Sequence, residues 1–315
     1  AVDKIDFEVP KQDLIFYLIP YADRLPRAFQ LLNIKPDILL AYIPYGFETS
    51  KVYNATYTPI VRVAWRQFFP SLFNLESYNR KVPYATPQRI YSGYPKLDVF
   101  FKSGSEFHFG WKMTRPDAKK IIWAPHHSFS TSVRSATFQW NYQFMYEFAK
   151  AHPEISWLVK PHSNLPFNAV HAGIFKNSAA YEEYFNKWDD LPNARVYTGT
   201  YYQAILATSD GLIHDCSSFI FEYQYVDKPM IFLVRDMQTH TDTTKEVLEA
   251  SYTVDGKDLD AIASLIQRIF IDGDDFKASE RKEFFDKYLN YPKTNGMLAS
   301  EFVYKNISDE LEKTR

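Results

Sequence analysis

Short apolar runs of four to six residues alternate along this chain with longer stretches whose apolar positions recur at helical spacing, the pattern of repeated βα units around parallel sheets. In the first third the pattern predicts strands over 14–19, 38–43 and 89–92, with a helix over 58–73. The stretch 102–116 then loses periodicity and is the expected linker. Beyond it the alternation restarts. Strands are expected over 119–124, 155–160 and 194–197, helices over 138–152, 170–186 and 203–207, then a strand–turn–helix–strand unit over 211–234. Helices over 258–270, 279–288 and 296–313 close the chain. The later part holds a full doubly wound sheet and the earlier part only about three strands. The expectation is therefore an α/β protein with two Rossmann-like lobes, the N-terminal one small or truncated. Residues 1–113 would form it, 114–295 the second lobe, and 296–315 a terminal helix.

The most telling segment is Gly211-Leu-Ile-His-Asp-Cys-Ser-Ser218, an apolar strand running into a small polar turn that opens a helix. Unpaired N–H groups at a helix start favour an anion. Ser and Asp are also ordinary capping residues, so a cap and a phosphate cradle are both consistent with this segment alone.

In open α/β sheets ligands sit beyond the carboxyl ends of the strands. Those positions here read Pro125-His-His-Ser128, Lys160-Pro-His-Ser-Asn164, Thr198-Gly-Thr200 and His214-Asp-Cys-Ser-Ser218. Four of the eight histidines fall there. Imidazoles, a lysine and hydroxyls converging on one crevice would bind a diphosphate and stabilise charge on a leaving oxygen. Taken singly, His126 and His127 would more often serve loop carbonyls, and Lys160 would be a solvated strand end. A zinc site among His126, His127, His162, His214 and Cys216 is disfavoured, because no pair has the usual ligand spacing. The Asp272-Gly-Asp-Asp275 run follows a helix and reads as an acidic turn. No dinucleotide fingerprint or P-loop is present.

Composition narrows the classes. The chain has 315 residues, 46% hydrophobic and 23% charged, and a formal net charge of −2, so it packs a core and has no global pull toward nucleic acid. One cysteine and no apolar run near the ~20 residues that span a bilayer favour a reducing, cytoplasmic setting. The opening residues carry no secretory pattern. The segment 62–73, which mixes Arg62 and Arg66 with Trp65 and several Phe, reads either as a core helix with two exposed arginines or as a peripheral membrane contact.

Three blocks, Ile121-Ile-Trp-Ala-Pro125, Val159-Lys-Pro-His162 and Ser209 through Ser218 continuing to Asp227-Lys-Pro229, together with Tyr91-Ser-Gly-Tyr-Pro-Lys-Leu-Asp98, resemble the CDP-glycerol glycerophosphotransferase family of teichoic-acid and capsule synthesis. The resemblance covers roughly residues 88–234. It implies a two-lobed GT-B fold, no metal or other cofactor, a CDP-linked donor, and a surface-glycan or lipid-linked acceptor. It also implies that His162 and Ser217/Ser218 hold the donor's phosphates and that Glu222 reaches its ribose, while the strand-end positions add Lys160, Ser163, Thr198, Gly199, His214 and Asp215 to the donor site. Family members usually carry a Trp-His-Gly block whose His activates the acceptor; here Ile43-Pro-Tyr-Gly46 puts Tyr45 there, and a phenol with a pKa near ~10 is a poor base. His126 and His127 stand where the family has Thr and Arg, so the catalytic candidates are Tyr45, His126, His127 and His162. The implied reaction is transfer of a polyol phosphate, foremost glycerol phosphate, with release of CMP. A GT-B glycosyltransferase using a nucleotide sugar and a non-catalytic nucleotide- or glycan-binding lobe are the alternatives.

Overall fold

The computed structural model describes residues 12–50, 58–83, 88–102, 106–129, 134–216 and 218–313. They fall into two compact units, one built from residues 1–48, 53–101 and 288–315, the other from 49–52 and 102–287.

The first unit is a parallel four-stranded sheet in the order β1 (Leu14–Tyr17), β2 (Leu39–Tyr42), β3 (Arg66–Phe69), β4 (Arg89–Tyr91). The sheet has one strand more than the periodicity suggests. Where a helix over 58–73 is expected, a short helix Pro59–Val63 stops at Ala64, β3 follows, and a new helix Leu72–Lys81 starts behind the Ser71 cap. Pro70 explains the difference: it disfavours helical geometry at Phe69, and Gln67, Phe68 and Phe69 instead fill an inner strand buried on both faces. The Arg- and aromatic-rich segment is thus no amphipathic helix. Arg66 stacks on Trp65 at 4.5 Å and pairs with Glu310 at 3.1 Å.

The C-terminal helix Ala299–Lys313 lays Val303 and Ile307 against Ala41 and Phe68 of this sheet. The Asp98 carboxylate anchors its first turn, accepting from the N–H of Ala299 at 3.1 Å and of Ser300 at 2.7 Å. Gly93, at φ +71°, makes the close approach possible, since a Cβ there would lie 2.6 Å from Tyr291 Cγ. Much of the Tyr91–Asp98 block is therefore a fastening for the chain's end.

The second unit is a six-stranded parallel sheet in the order β10-β9-β8-β5-β6-β7, where β5 is Lys119–Ala124, β6 Ile155–Val159, β7 Ala194–Val196, β8 Gly211–His214, β9 Met230–Val234 and β10 Tyr252–Asp255. This is the doubly wound order of a Rossmann sheet, with its switch point between β5 and β8. Its core centres on Trp123, Phe138, Trp157 and Trp188. The helix expected over 170–186 is two, Leu165–His171 and Ser178–Asp190, parted near Gly173 at φ +74°. Strand β10 and the helix Asp242–Glu249 are elements that periodicity missed.

Candidate functional site

At the switch point the ends of β5 and β8 part, and one buried carboxylate ties the loops beyond them. Asp215, 1% exposed, accepts from the His126 N–H at 2.6 Å with Oδ1 and from Thr137 N–H (2.5 Å) and Oγ1–H (2.8 Å) with Oδ2. Burial nevertheless pushes this carboxyl up to about 6 against the pull of its donors. The Asp of the polar turn is thus a clamp. It does not cap the helix that follows, which is a single turn, Phe219–Glu222, running into a 3-10 turn, Tyr223–Val226. Ser218 sits at the N-cap without a side-chain capping bond; its Oγ lies 3.4 Å from Cys216 Sγ.

The carboxyl ends of β5 and β6 bring His126, His127 and His162 together, with ring centroids 4.5 Å (126–127), 4.1 Å (127–162) and 5.0 Å (126–162) apart. A backbone bond from His162 N–H to Pro125 O (3.1 Å) sets the two loops side by side. Each Nδ1 faces a donor. His162 Nδ1 accepts from the Asn164 N–H at 3.1 Å. His126 Nδ1 accepts from the Ser128 N–H at 3.3 Å and meets Ser128 Oγ at 2.8 Å, and that hydroxyl is itself an acceptor for the Ser135 N–H at 2.9 Å. His127 Nδ1 lies 2.7 Å from Asn168 Nδ2. A neutral imidazole that accepts at Nδ1 carries its proton on Nε2.

All three rings are held neutral. Burial drives His126 well below 6.5, with repulsion from His127, His162 and His214 adding to it. Burial lowers His127 as well. It brings His162 down to about 4, helped by His127 and Lys160. Below the cluster, fully buried His214 is pushed to about 3 by burial; its Nδ1 is 2.9 Å from the Cys216 carbonyl, and its Nε2 has no hydrogen-bond partner.

One ring nitrogen from each of His126, His127 and His162 lies within 4.8 Å of the others, a spacing that could suit a metal ion despite the lack of ligand spacing in the sequence. The tautomers argue otherwise. A metal-binding His normally gives its second N–H to a carbonyl or carboxylate, whereas two of these rings receive backbone N–H groups at Nδ1. Binding a cation through Nε2 would require stripping its proton while the Nδ1 lone pair stays occupied. The arrangement suits an anion that accepts hydrogen bonds.

Lys160 closes the β6 side. Its Nζ donates to Gly199 O at 3.1 Å and lies 5.5 Å from the ring centroids of both Tyr197 and Tyr202, and burial lowers its pKa. At Gly199 a Cβ would fall 2.3 Å from the Tyr197 hydroxyl. Glu222 is buried and accepts from Tyr202 OH at 2.5 Å. Ser163 and Thr198 are exposed at the two strand ends. Ser217 lies outside the described residues. Tyr45 belongs to the first unit, 53% exposed, its hydroxyl 3.3 Å from that of Tyr21. Sequence reasoning missed Thr137, Asn168, Tyr202 and Arg235, the last of which binds the carbonyls of Ser128 (3.2 Å) and Ala136 (2.9 Å). Only Tyr202, next to the 198–200 strand end, had a positional signal.

Comparison with known proteins bears on this geometry. The family model described as CDP-glycerol:poly(glycerophosphate) glycerophosphotransferase matches residues 68–309. Over 88 residues the chain is 34% identical to the teichoic acid ribitol-phosphate polymerase TarK of Staphylococcus aureus (strain NCTC 8325 / PS 47), a stretch that makes up 28% of this chain and only 17% of that protein. A variant of the wall teichoic acid polymerase TagF superposes with a TM-score of 0.57 at 14% identity, covering 95% of this chain and 74% of that one. TagF soaked with CDPG gives 0.55 at 13% identity, with 89% and 71% covered. UDP-GlcNAc 2-epimerase from Neisseria meningitidis bound to UDP-GlcNAc gives 0.53 at 16%, with 86% and 70% covered. At such identities the likeness is one of fold, the GT-B-like arrangement of parallel α/β units.

Proposed function

Because the chain belongs to the CDP-glycerol:poly(glycerophosphate) glycerophosphotransferase family, we propose that it transfers a polyol phosphate, glycerol phosphate foremost, from a CDP-linked donor to a surface-polysaccharide acceptor and releases CMP. The observation that carries this reading is the trio of neutral imidazoles whose Nδ1 atoms accept, leaving three Nε2–H donors with the Lys160 ammonium at the carboxyl ends of β5 and β6. Such donors match the non-bridging oxygens of a diphosphate. In the reaction an acceptor oxygen attacks the β-phosphorus, an O–P bond forms, and the bond from that phosphorus to the oxygen shared with CMP breaks. Charge growing on that oxygen is met by His162 and Lys160, and rate comes from positioning and electrostatics rather than covalent catalysis. The acceptor proton leaves to a base outside the cluster, because the imidazole lone pairs at Nδ1 are already occupied. His126 and His127 are therefore donors in this reading, not substitutes for an acceptor base.

Among the described residues no helix is long and apolar enough to cross a membrane. Thermal-shift titration with CMP, CDP, UDP and GDP, followed by an assay of CMP release from CDP-glycerol and CDP-ribitol, tests the proposal. Stabilisation by cytidine nucleotides and acceptor-dependent CMP release are expected. Preferential stabilisation by UDP would favour a nucleotide-sugar transferase and overturn it.

A further inference from the structure

Between β5 and the helix Phe138–Ala151 the chain passes His126, Ser128, Ser135 and Ala136, and one arginine from elsewhere in the second unit grips it there. Arg235 directly follows Val234, the last residue of β9. Its Nη1 donates to the Ser128 carbonyl at 3.2 Å and to the Ala136 carbonyl at 2.9 Å. Trp140 backs the guanidinium, whose carbon lies 5.2 Å from that ring's centroid. Gln238 reinforces the join: its amide donates to the Ser135 carbonyl at 3.3 Å and its oxygen accepts from the Arg235 N–H at 3.2 Å.

Neither carbonyl needs the arginine to be satisfied. Ser128 O also accepts from the Ala136 N–H at 3.3 Å, and Ala136 O from the Gln139 amide at 3.1 Å. Those bonds stay within residues 128–139, whereas Arg235 ties the same stretch to the end of a sheet strand. A guanidinium directed at two carbonyls that already have donors acts as a restraint on position. What it restrains is the donor set of His126. The Ser128 N–H reaches His126 Nδ1 at 3.3 Å, Ser128 Oγ lies 2.8 Å from the same nitrogen, and the Ser135 N–H donates to that oxygen at 2.9 Å. A ring nitrogen that accepts from the Ser128 N–H is bare, so the single hydroxyl proton of Ser128 is also directed to it. Ser128 and Ser135 are 2% and 6% exposed, so water does not readily replace these bonds if the stretch drifts. Asp215 holds its two ends, at the N–H groups of His126 and Thr137. Arg235 holds the part between them.

We propose that Arg235 is a positioning residue: by holding the Ser128 and Ala136 carbonyls it keeps the Ser128 N–H and hydroxyl on His126 Nδ1, and thereby keeps the His126 proton on Nε2. It acts through the turn that supplies the donors. The use of that proton against a donor phosphate rests on the transferase reading above, while the restraint itself does not.

Nitrogen NMR of the full chain carrying ¹⁵N-labelled histidine tests it, since long-range proton–nitrogen correlation separates protonated from bare ring nitrogens and a His126→Gln sample identifies the His126 signals. Wild-type His126 should show the Nε2–H tautomer alone. Arg235→Ala, with Arg235→Gln as a second truncation should the first fold poorly, should bring in the Nδ1–H form, and CMP release from CDP-glycerol should fall about 10-fold as the donor loses its alignment. Ser128→Ala should give the same tautomer shift, and combining it with Arg235→Ala should add little, because both act through one contact. Lys257→Ala removes the other cation over Trp140, 4.5 Å from its centroid, and should leave the tautomer as in wild type. Unchanged His126 signals in the Arg235 variants, or an equal shift in Lys257→Ala, overturn the positioning role and leave the transferase reading standing. A shifted tautomer with undiminished CMP release supports the restraint and removes His126 as a phosphate donor. Because the tautomer is read without any donor molecule, a wild type inactive on CDP-glycerol would count against the transferase reading alone.

Discussion

Acid should loosen the second unit well before its surface carboxylates titrate, and the buried imidazoles set how much. Burial holds His214 at about 3 and His162 at about 4, against an ordinary 6.5. As pH falls through 6.5 the unfolded chain protonates both rings while the folded unit does not. The unfolded state then binds more protons, so stability drops with pH. Their contribution is intact above the ordinary value and is lost progressively down to the folded values. Between about pH 7.5 and about pH 5, His214 withdraws about 2 kcal/mol and the more accessible His162 a smaller share. Asp215 opposes them. Its carboxyl is raised from 3.8 to about 6, so the folded unit takes up that proton first and gains about 1.4 kcal/mol over the same interval. The balance is a net loss of about 2 kcal/mol on acidification, to which His126, His127 and His240, all lowered by burial, add in the same direction. Urea unfolding followed by tryptophan fluorescence reads it directly, since Trp123, Trp157 and Trp188 are buried in that core. His214→Asn should reduce the pH dependence by about 2 kcal/mol whatever it does to stability at neutral pH. A midpoint that stays put on acidification, or rises, refutes the placement of neutral imidazoles in the interior.

Other expectations concern single contacts. His162→Ala should cut CMP release by about 100-fold or more, as loss of a transition-state donor does, while its unfolding midpoint stays close to wild type; unchanged turnover removes its role. Asp215→Asn turns an amide N–H donor toward the clamp's own donors in a buried site and should cost about 2–4 kcal/mol, measured as a drop in urea midpoint, and a loss below about 0.5 kcal/mol would deny the clamp. Gly93→Ala forces a Cβ into Tyr291 at a positive φ, so the first unit should lose about 1–3 kcal/mol; wild-type stability would show that the C-terminal fastening yields at no cost.

The sequence made the second sheet legible because its strands are short apolar runs ending in polar turns, and those turns hold the candidate site. His126, His127 and His162 were found by position alone, from their place just beyond β5 and β6. The inner strand β3 was lost because Gln67 through Phe69, buried on both faces, have no period-2 alternation and follow a helical stretch without a glycine between them. Strand β10 was missed because Tyr252–Asp255 carries only one fully buried side chain at the sheet's edge. The role of Asp215 was beyond reach for a different reason. A helix cap and an interloop clamp present the same residue, and only the positions of Thr137 and the His126 N–H, 78 and 89 residues away, decide between them.

Ring tautomers are the least readable feature and the most consequential. In His126 and His162 the donor at Nδ1 is the backbone N–H two residues ahead, so a local turn, not a distant side chain, fixes which nitrogen carries the proton. The clamp at Asp215 holds the His126 backbone that makes this turn, and the Pro125 carbonyl fixes the start of the other. With their protons on Nε2, neutral imidazoles can replace cationic or hydroxyl donors at an anion site without adding charge. Three ammonium-like groups this close would repel one another strongly, whereas three neutral rings do not. The positive charge is left to Lys160, which lies 5.5 Å from the ring centroids of two tyrosines and donates to the Gly199 carbonyl, so in the transferase reading one held cation joins neutral N–H donors against the departing phosphate.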